Sequence, residues 1–351
     1  MKNRACFFCN TPFQIMTALS IQLQEKYMAD ICIDPHFENG DYYKKKIKEL
    51  GLFESIKIVQ QDDAINKKIR YVNNGIKRKV NLILLYISNY GAKYLTNPGY
   101  DFLFTSTNAF LYSVCSSYLN QKHKHYEKIY FDDGEGSYDD FMKIADAFSG
   151  TTMTVYLYSP ELFRLCYPDL NINAKQIIKW GENDETKAII EHVFGQKDKA
   201  RIDEKYIILD TIKSEVLSHK DTKELNEIYH EIAVLKNHQN VIIKKHPRDK
   251  IRDESMTNYT HTSIPFEYIA LESNVENKVL ISLASTAVIM PKIVLDQEPF
   301  VILLYKMFTL TIGEDETRER LYNNCRSLYR DKSRFIIPRN KEELMNVLYS
   351  I

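Results

Sequence analysis

The chain has 351 residues, of which 44% are hydrophobic and 27% charged, a composition typical of globular proteins. This length predicts about two domains, each with enough residues to bury its own core. Lys and Arg together number 47, as do Asp and Glu, so the net charge is zero. A balanced charge argues against a dedicated nucleic-acid binder, which would need a clear excess of basic residues.

Through the first half of the chain, short apolar runs alternate with helical patterns. In chain order, the predicted strands are residues 5–9, 30–33, 55–59, 101–105, 128–131 and 153–157. The helices predicted between them are residues 13–27, 42–50, 109–119 and 138–147, together with a long helical region over 63–95 that is broken near Gly75 and Gly91. This alternation predicts a parallel sheet covered by helices.

The same pattern starts again after a charged stretch at residues 181–205. Here the predicted strands are residues 206–209, 240–244, 278–283 and 300–304, and the predicted helices are 222–235, 286–293 and 341–349. The sequence therefore predicts an α/β protein with two Rossmann-like domains, 1–200 and 201–351, that face each other across a cleft. Ligands of such sheets bind beyond the carboxyl ends of the strands, so the loops that directly follow strands are the candidate sites.

The six cysteines are spread along the chain, which disfavours a disulfide framework and indicates a reducing compartment. Cys6 and Cys9 form a C-x-x-C pattern inside an apolar run. Because no second cysteine pair is present to complete a zinc site, we interpret them as buried core thiols. The apolar run near the start is too short for a signal peptide, and no run of about 18 apolar residues occurs, so we expect a cytoplasmic protein.

Asp132 and Asp133 directly follow a predicted strand and precede Gly134. Two adjacent carboxylates at a strand end could supply a general base, its pKa raised by the charge of its neighbour. The same pair could bind a divalent metal together with Asp139 and Asp140. A third interpretation is a turn that Asp caps and in which glycine takes positive φ. The residues alone leave these three interpretations open.

A basic loop made of Lys244, Lys245, His246, Pro247 and Arg248 follows another predicted strand. The residue before a proline is held extended, which fixes the histidine where the strand ends. Three permanent cations and a histidine that can give up a proton near neutral pH would suit a phosphate that takes up charge as it leaves. The alternative is a solvated basic turn.

Ser285 and Thr286 stand between a predicted strand and the predicted helix 286–293. Hydroxyls and backbone N–H groups at a helix N-terminus favour an anion. The alternative is that the serine or threonine only caps the helix.

The motifs Asp132-Asp133-Gly134, His246-Pro247 and Ser285-Thr286 resemble, in this order, those of the bacterial two-domain (GT-B) sialyltransferases. The likeness is to the lipooligosaccharide and capsule sialyltransferases of glycosyltransferase family 52 in particular. The segment Cys-Asn-Thr-Pro-Phe-Gln at residues 9–14 also looks like the start of those enzymes. The resemblance implies a GT-B-like fold and an inverting transfer of sialic acid.

In that family likeness, Asp133 would be the general base that takes the proton of the acceptor hydroxyl, and Asp132 would orient it. The sequence does not settle which of the two is the base. His246 would be the general acid toward the departing CMP phosphate. Ser285 and Thr286 would hold this phosphate.

The resemblance also implies a donor site around these motifs. Glu267 matches the acid that contacts the ribose hydroxyls, and Lys244 would contact the cytosine. Pro247 belongs to the His-Pro motif of this site. Asn10 and Thr11, at the end of the first strand, would line the donor sugar.

The implied substrates are CMP–sialic acid and a galactose-terminated glycan of a capsule polysaccharide or lipooligosaccharide, joined by an α-2,3 linkage. Because CMP–sialic acid carries one phosphate at the anomeric carbon, cations, hydroxyls and a helix dipole suffice to stabilise it as it leaves. We therefore expect no metal and no other cofactor, no nucleic-acid partner, and a monomer or homodimer.

Residues 66–80 contain six basic side chains and are followed by the apolar stretch 82–87. This pattern predicts either a solvated helix face or a peripheral contact with the inner face of the plasma membrane. For the activity, three alternatives stay open. They are a CMP- or CDP-linked transferase of another donor (Kdo or glycerol phosphate), a metal-dependent phosphohydrolase using the acidic pair and His246, and a non-catalytic nucleotide-binding module.

Overall fold

The structure is a computed structural model. It describes residues 2–35, 37, 39–70, 72, 75–97, 99–106, 110–139, 141, 153–195, 197–246, 257–261, 263–310 and 316–351. The chain divides into two compact units. Unit 1 comprises Met1–Pro160, Tyr167–Ile178 and Asn183–Gly195, and unit 2 comprises Glu161–Cys166, Lys179–Glu182 and Gln196–Ile351.

Unit 1 is built on a seven-stranded parallel sheet with the strand order β3-β2-β1-β4-β5-β6-β7. Its strands are β1 (Arg4–Cys9), β2 (Met28–Ile33), β3 (Ser55–Ile58), β4 (Phe102–Thr105), β5 (Glu127–Phe131), β6 (Thr154–Leu157) and β7 (Asn173–Gln176). The order reverses between β1 and β4, which makes the carboxyl ends of these two strands the expected ligand crevice of the sheet.

Unit 2 contains a five-stranded parallel sheet with the strand order β12-β11-β10-β8-β9. Its strands are β8 (Tyr206–Leu209), β9 (Val241–Lys244), β10 (Val279–Ser282), β11 (Phe300–Leu303) and β12 (Phe335–Ile336). The order reverses between β8 and β10, so the corresponding crevice of this sheet lies at their carboxyl ends.

Helices connect the strands in both units. In the described part of the chain the α-helices are α1 (Pro12–Glu25), α2 (Gly40–Leu50), α3 (Gly75–Ile87), α4 (Phe110–Gln121), α5 (Pro160–Cys166), α6 (Asp184–Phe194), α7 (Lys197–Ala200), α8 (Lys213–Val216), α9 (His219–Leu235), α10 (Phe266–Ser273), α11 (Met290–Leu295), α12 (Glu316–Ser327) and α13 (Lys341–Ser350). Short 3-10 turns at Gly134–Ser137 and Thr286–Val288 follow β5 and β10.

Each core forms where the apolar strands are covered by helices. In unit 1, Phe7 in the middle of β1 stacks on Phe104 of β4, with 4.3 Å between the ring centroids. Burying a phenylalanine side chain contributes about 2–3 kcal/mol to folding. In unit 2, Ile208 and Ile281 from neighbouring strands pack with Ile232 of α9. Two separate cores follow from two sheets whose strands are apolar throughout.

The predicted α/β class with two parallel sheets is confirmed by this topology. The cleft between the domains, and the domain limits 1–200 and 201–351, stay predictions. The predicted helix 138–147 lies mostly outside the described residues. Two strands were missed, β7 and β12, because the first has a polar, largely exposed sequence and the second has only two residues.

The predicted helix 286–293 is wrong in its first half. Residues Thr286–Val288 form a 3-10 turn, and the α-helix begins only at Met290. Pro291 is the physical reason. In an α-helix that began at Thr286, the ring of Pro291 would clash with the carbonyl of Ala287. Pro291 also has no N–H to donate to that carbonyl, so one backbone hydrogen bond of the helix would be lost. A proline is tolerated in the first turn, which is where α11 places it.

Candidate functional site

At the carboxyl edge of the unit 1 sheet, polar residues follow three adjacent strands. Asn10 follows β1, Ser106 follows β4, and Asp132 with Asp133 follows β5. Because the strands are parallel, these residues lie along one edge, beside the point where the strand order reverses. The structure thus brings together the predicted Asn10 and the predicted acidic pair.

Asp132 is fully buried and both of its carboxylate oxygens accept hydrogen bonds. Oδ1 accepts from the backbone N–H of Gly134 at 2.8 Å. Oδ2 accepts from the backbone N–H of Tyr158 at 3.0 Å and from the hydroxyl of Tyr138. Burial raises the pKa of Asp132 to about 6, although these hydrogen bonds oppose the rise. This carboxylate ties the loop after β5 to the residue that directly follows β6. Its position and contacts suit a residue that holds the neighbouring Asp133 in place.

Asp133 differs from its neighbour because its side chain is only half-buried. Oδ1 accepts one hydrogen bond, from Nε2 of Gln14 at 2.6 Å. The backbone N–H of Asp133 donates to Oγ of Ser137 at 2.8 Å, which fixes the turn. Burial raises the pKa of Asp133 to about 7; the bond from Gln14 opposes this rise and the charge of Asp132 adds to it. A partly accessible carboxyl group with a pKa near neutrality is suited to general acid–base chemistry.

The first turn of α1 holds the amide that contacts Asp133. Thr11 is the N-cap of this helix, and its hydroxyl accepts from the backbone N–H of Gln14 at 3.2 Å. The backbone N–H of Asn10 donates to Oε1 of Gln14 at 2.5 Å. Thr11 was predicted to line the donor sugar, and the structure shows its hydroxyl engaged in the helix cap. Gln14 was missed as a functional residue. No local signal in the sequence marked it, because Thr17, Ser20 and Gln22 of the same helix are also buried polar residues.

Ser106 is a second residue that sequence reasoning missed. It directly follows β4, is buried, and its hydroxyl has no hydrogen-bond partner within the part of the chain that the structure describes. A buried polar group without a partner is costly, so such a group at the strand-order reversal marks this edge as a place where a ligand could bind. The signal available in the sequence was only its position directly after a predicted strand, since the strand order is known from the structure alone.

At the carboxyl edge of the unit 2 sheet, the buried Asp210 follows β8. Its Oδ2 lies 2.9 Å from Nζ of Lys213 and 3.4 Å from Nζ of Lys245, while Oδ1 accepts from the backbone N–H of Thr211. Asp210 therefore holds two lysines at this edge of the sheet. Asp210 and Lys213 were missed, although a carboxylate straight after a buried strand is the same signal that singled out the acidic pair.

Lys244 and Glu267 influence each other electrostatically near the end of β9. Burial lowers the pKa of Lys244 to about 8, and the charge of Glu267 opposes this fall. Burial likewise raises the pKa of Glu267, and Lys244 opposes the rise. Burial dominates for both groups. Lys244 Nζ also lies 5.8 Å from the ring centroid of Tyr259. Glu267 stands in the first turn of α10, so the structure brings these two predicted donor-site residues together.

His246 and Ser285 lie at the ends of β9 and β10, on either side of the end of β8. His246 is half-buried, and Pro247 lies outside the described residues. Ser285 Oγ caps the 3-10 turn by accepting from Ala287 at 3.3 Å, and its backbone N–H donates to Ser282 at 3.0 Å. The predicted Ser285–Thr286 site on an α-helix N-terminus is therefore corrected: the hydroxyls stand on a three-residue 3-10 turn.

All six cysteines are buried free thiols, as expected for core residues, and burial raises the pKa of both Cys6 and Cys9. Across the described ranges, no cluster of three or more His, Cys, Asp or Glu side chains could hold a metal ion. None of the described helices is both long and apolar enough to cross a membrane.

No protein-family model matches the sequence, and no curated protein matches it. The chain is similar to solved structures that include the S. aureus MnaA–UDP co-structure, with 11% identity and a TM-score of 0.44 over 95% of this chain and 90% of that one. Another is a UDP-N-acetylglucosamine 2-epimerase, with 9% identity and a TM-score of 0.45 over 99% and 91%. A third is apo UGT2 of Phytolacca americana, with 8% identity and a TM-score of 0.40 over 99% and 94%. Likenesses this distant decide nothing about activity, which has to be argued from the residues of this chain.

Proposed function

We propose that the protein is an inverting glycosyltransferase that moves sialic acid from CMP–sialic acid to a galactose-terminated glycan. The observation that carries the proposal is the half-buried Asp133, whose pKa is raised to about 7. Its carboxylate is held by Gln14 at the carboxyl end of β5, one strand away from the reversal of strand order. The proposed activity is also supported by the order in which the acidic pair, the His-Pro motif and the Ser-Thr pair follow one another along the chain.

In this reaction Asp133 takes the proton of the acceptor hydroxyl as the hydroxyl oxygen bonds to the anomeric carbon of the sialic acid. The bond between that carbon and the phosphate oxygen breaks, and its electron pair leaves with CMP. Because the attack comes from the side opposite the leaving group, the anomeric centre inverts. Asp132 holds the loop of the base in place through Gly134 and Tyr158.

Unit 2 is proposed to bind CMP. His246 donates a proton or hydrogen bond to the departing phosphate. Lys213 and Lys245, both held by Asp210, stabilise the negative charge that develops there. Glu267 would accept from the ribose hydroxyls and Lys244 would contact the cytosine.

The hydrogen bonds of Asp132 favour a base over a metal site at the acidic pair. Both oxygens of this carboxylate already face N–H or O–H donors, and a metal ion would have to displace them. The donors that surround this carboxylate therefore weaken the phosphohydrolase alternative.

Incubation with CMP–sialic acid and a galactoside tests the proposal, with free CMP and the sialylated product measured by chromatography. We expect both products, retained activity in excess EDTA, and an inverted anomeric centre with an α-2,3 linkage by NMR. CMP release only from CMP–Kdo, or transfer only from CDP-glycerol, would move the chain to another donor class. Complete loss of activity in EDTA that Mg²⁺ restores would point to metal-dependent chemistry.

A further inference from the structure

The helix α3 (Gly75–Ile87) carries a continuous apolar stripe that faces solvent. Each side chain of the stripe is between 50% and 79% exposed. Its members are Ile76, Val80, Ile83, Leu84 and Ile87. This spacing of four, three, one and three residues confines them to an arc of about 100° on the helix surface. Scattered exposed apolar residues are ordinary, whereas a contiguous stripe of five large ones indicates a docking surface.

The opposite face of α3 fixes the orientation of this stripe. Leu85 is buried in the core of unit 1, and Leu82 and Tyr86 pack against the same core. The carbonyl oxygen of Tyr86 accepts a hydrogen bond from the hydroxyl of Ser117 on α4 at 3.0 Å. The helix is therefore held by its inner face, and the outward stripe is not needed for that packing.

The charged side chains of α3 itself are all basic. No Asp or Glu occurs from residue 64 to residue 100, a stretch with seven basic residues, namely Lys67, Lys68, Arg70, Lys77, Arg78, Lys79 and Lys93. Of these, Lys93 is paired with Asp63 at 2.6 Å and does not add to the positive charge. At about 100° per residue, Lys77 lies on one side of the stripe and Lys79 on the other. Both lysines are exposed. Long basic side chains on both flanks of an apolar stripe can reach phosphates while the stripe enters the acyl region.

We propose that α3 docks on the surface of an anionic lipid bilayer, with the stripe in the headgroup–acyl boundary and the lysines on lipid phosphates. The basic residues on α3 and directly before it decide between a second copy of this chain and a bilayer as the partner of the stripe. A second copy of this chain would bring the same positive charge against itself, whereas an anionic bilayer complements it. This inference does not depend on the sugar donor.

Flotation with vesicles tests the docking surface. Wild-type protein is expected to float with vesicles of phosphatidylcholine and phosphatidylglycerol, to bind phosphatidylcholine vesicles weakly, and to be released by salt. In the triple variant Ile76→Ser, Ile83→Ser, Ile87→Ser, the affinity for the mixed vesicles should fall at least about tenfold. The double variant Lys77→Glu, Lys79→Glu should lose binding to a similar degree.

Matched variants elsewhere separate this surface from general effects. Val234→Ser removes an apolar side chain of comparable exposure in unit 2, and Lys220→Glu with Lys223→Glu makes the same change in charge. Both should bind vesicles like the wild type, and unchanged thermal unfolding should show that all variants are folded. The proposal would be overturned if the α3 variants bound vesicles as well as the wild type does, or if the wild type did not bind them at all. A wild-type dimer that the serine variant converts to a monomer, with vesicle binding unchanged, would assign the stripe to a second copy.

Discussion

Gln14 Nε2 donates a hydrogen bond to Asp133 Oδ1 across 2.6 Å, although the two residues are 119 positions apart in the chain. The Oε1 atom of the same amide accepts from the backbone N–H of Asn10, so the amide has one favourable orientation. A hydrogen bond to an ionised carboxylate favours the charged form. Gln14 therefore lowers the pKa of Asp133 against the effect of burial and keeps part of this group ionised near neutral pH.

Replacing Gln14 by methionine removes this donor and nearly preserves the volume. The pKa of Asp133 should rise, so the acidic limb of kcat/KM against pH should move up by about 0.5–1 unit, with turnover recovering at high pH. Gln22→Met is the matched control. Gln22 is a buried glutamine of the same helix whose amide donates to the carbonyls of Tyr27 and Leu52. If the acidic limb of Gln14→Met stays at the wild-type pH, Gln14 does not lower the pKa of the base.

Asp133→Asn keeps the shape of the side chain and removes the proton acceptor. Turnover should fall on the order of 10²–10⁴-fold, while CMP affinity measured by calorimetry stays near the wild-type value. The acidic limb, which a base with a pKa of about 7 should produce, should disappear with it. Turnover within about threefold of wild type, together with an inactive but folded Asp132→Asn, would make Asp132 the base.

The two aspartates should respond oppositely in stability. Folded Asp133, with its pKa raised from 3.8 to about 7, holds a proton that the unfolded chain releases earlier, so the free energy of unfolding falls as the pH rises between these values. At pH 8, Asp133→Asn removes this cost and should raise the free energy of unfolding by roughly 1–3 kcal/mol. Denaturant titrations at pH 5 and pH 8 measure the difference in the free energy of unfolding between this variant and the wild type. This difference should be smaller at pH 5.

Asp132→Asn should destabilise the fold by roughly 1–3 kcal/mol at pH 5, because the new NH₂ group would face the N–H groups of Gly134 or Tyr158 that now donate to the side chain. The loss should be about 1 kcal/mol smaller at pH 8, because the raised pKa of Asp132, about 6, makes the wild type itself lose stability over this range. Equal stability changes in the two variants would mean that their environments do not differ as described.

Apolar runs were enough to predict most strands, since a buried parallel strand has to be apolar along its length. The strand Tyr206–Leu209 was predicted to the residue, and the carboxyl ends of the strands then located the acidic pair, Lys244 and His246. The helix 286–293 was predicted from its apolar residues without regard to Pro291 in its interior. This proline is compatible only with an α-helix that begins close before it, as the helix at Met290 does.

The residues that support the site could not be read from local patterns. The contact of Gln14 with Asp133 joins the first helix to the fifth strand, and the contact of Lys245 with Asp210 joins two strands 35 residues apart. Such contacts follow from the strand order. Once β1 is placed beside β4, and β8 between β9 and β10, the side chains after those strands lie on common edges. Strand order is set by connections and packing and leaves no local signature.

If the Ser-Thr pair belongs to the proposed donor site, Ser285→Ala combined with Thr286→Ala should weaken CMP binding by about 2 kcal/mol, because charge-assisted hydrogen bonds to a phosphate are lost. Calorimetry of CMP binding measures it. Ser350→Ala is the control, since that hydroxyl donates to the carbonyl of Val347 at the far end of α13. Unchanged CMP affinity in the double variant would remove the Ser-Thr pair from the site.

The last prediction concerns the acid on the donor side. A base in unit 1 and an acid in unit 2 should give a bell-shaped dependence of kcat/KM on pH, with Asp133 responsible for the acidic limb and His246 for the basic limb. His246→Ala should abolish the basic limb and lower turnover on the order of 10²–10⁴-fold. Because His246 also contacts the phosphate in this proposal, CMP affinity should fall as well, in contrast to Asp133→Asn. If His246→Ala keeps the basic limb with CMP–sialic acid, another group supplies the proton.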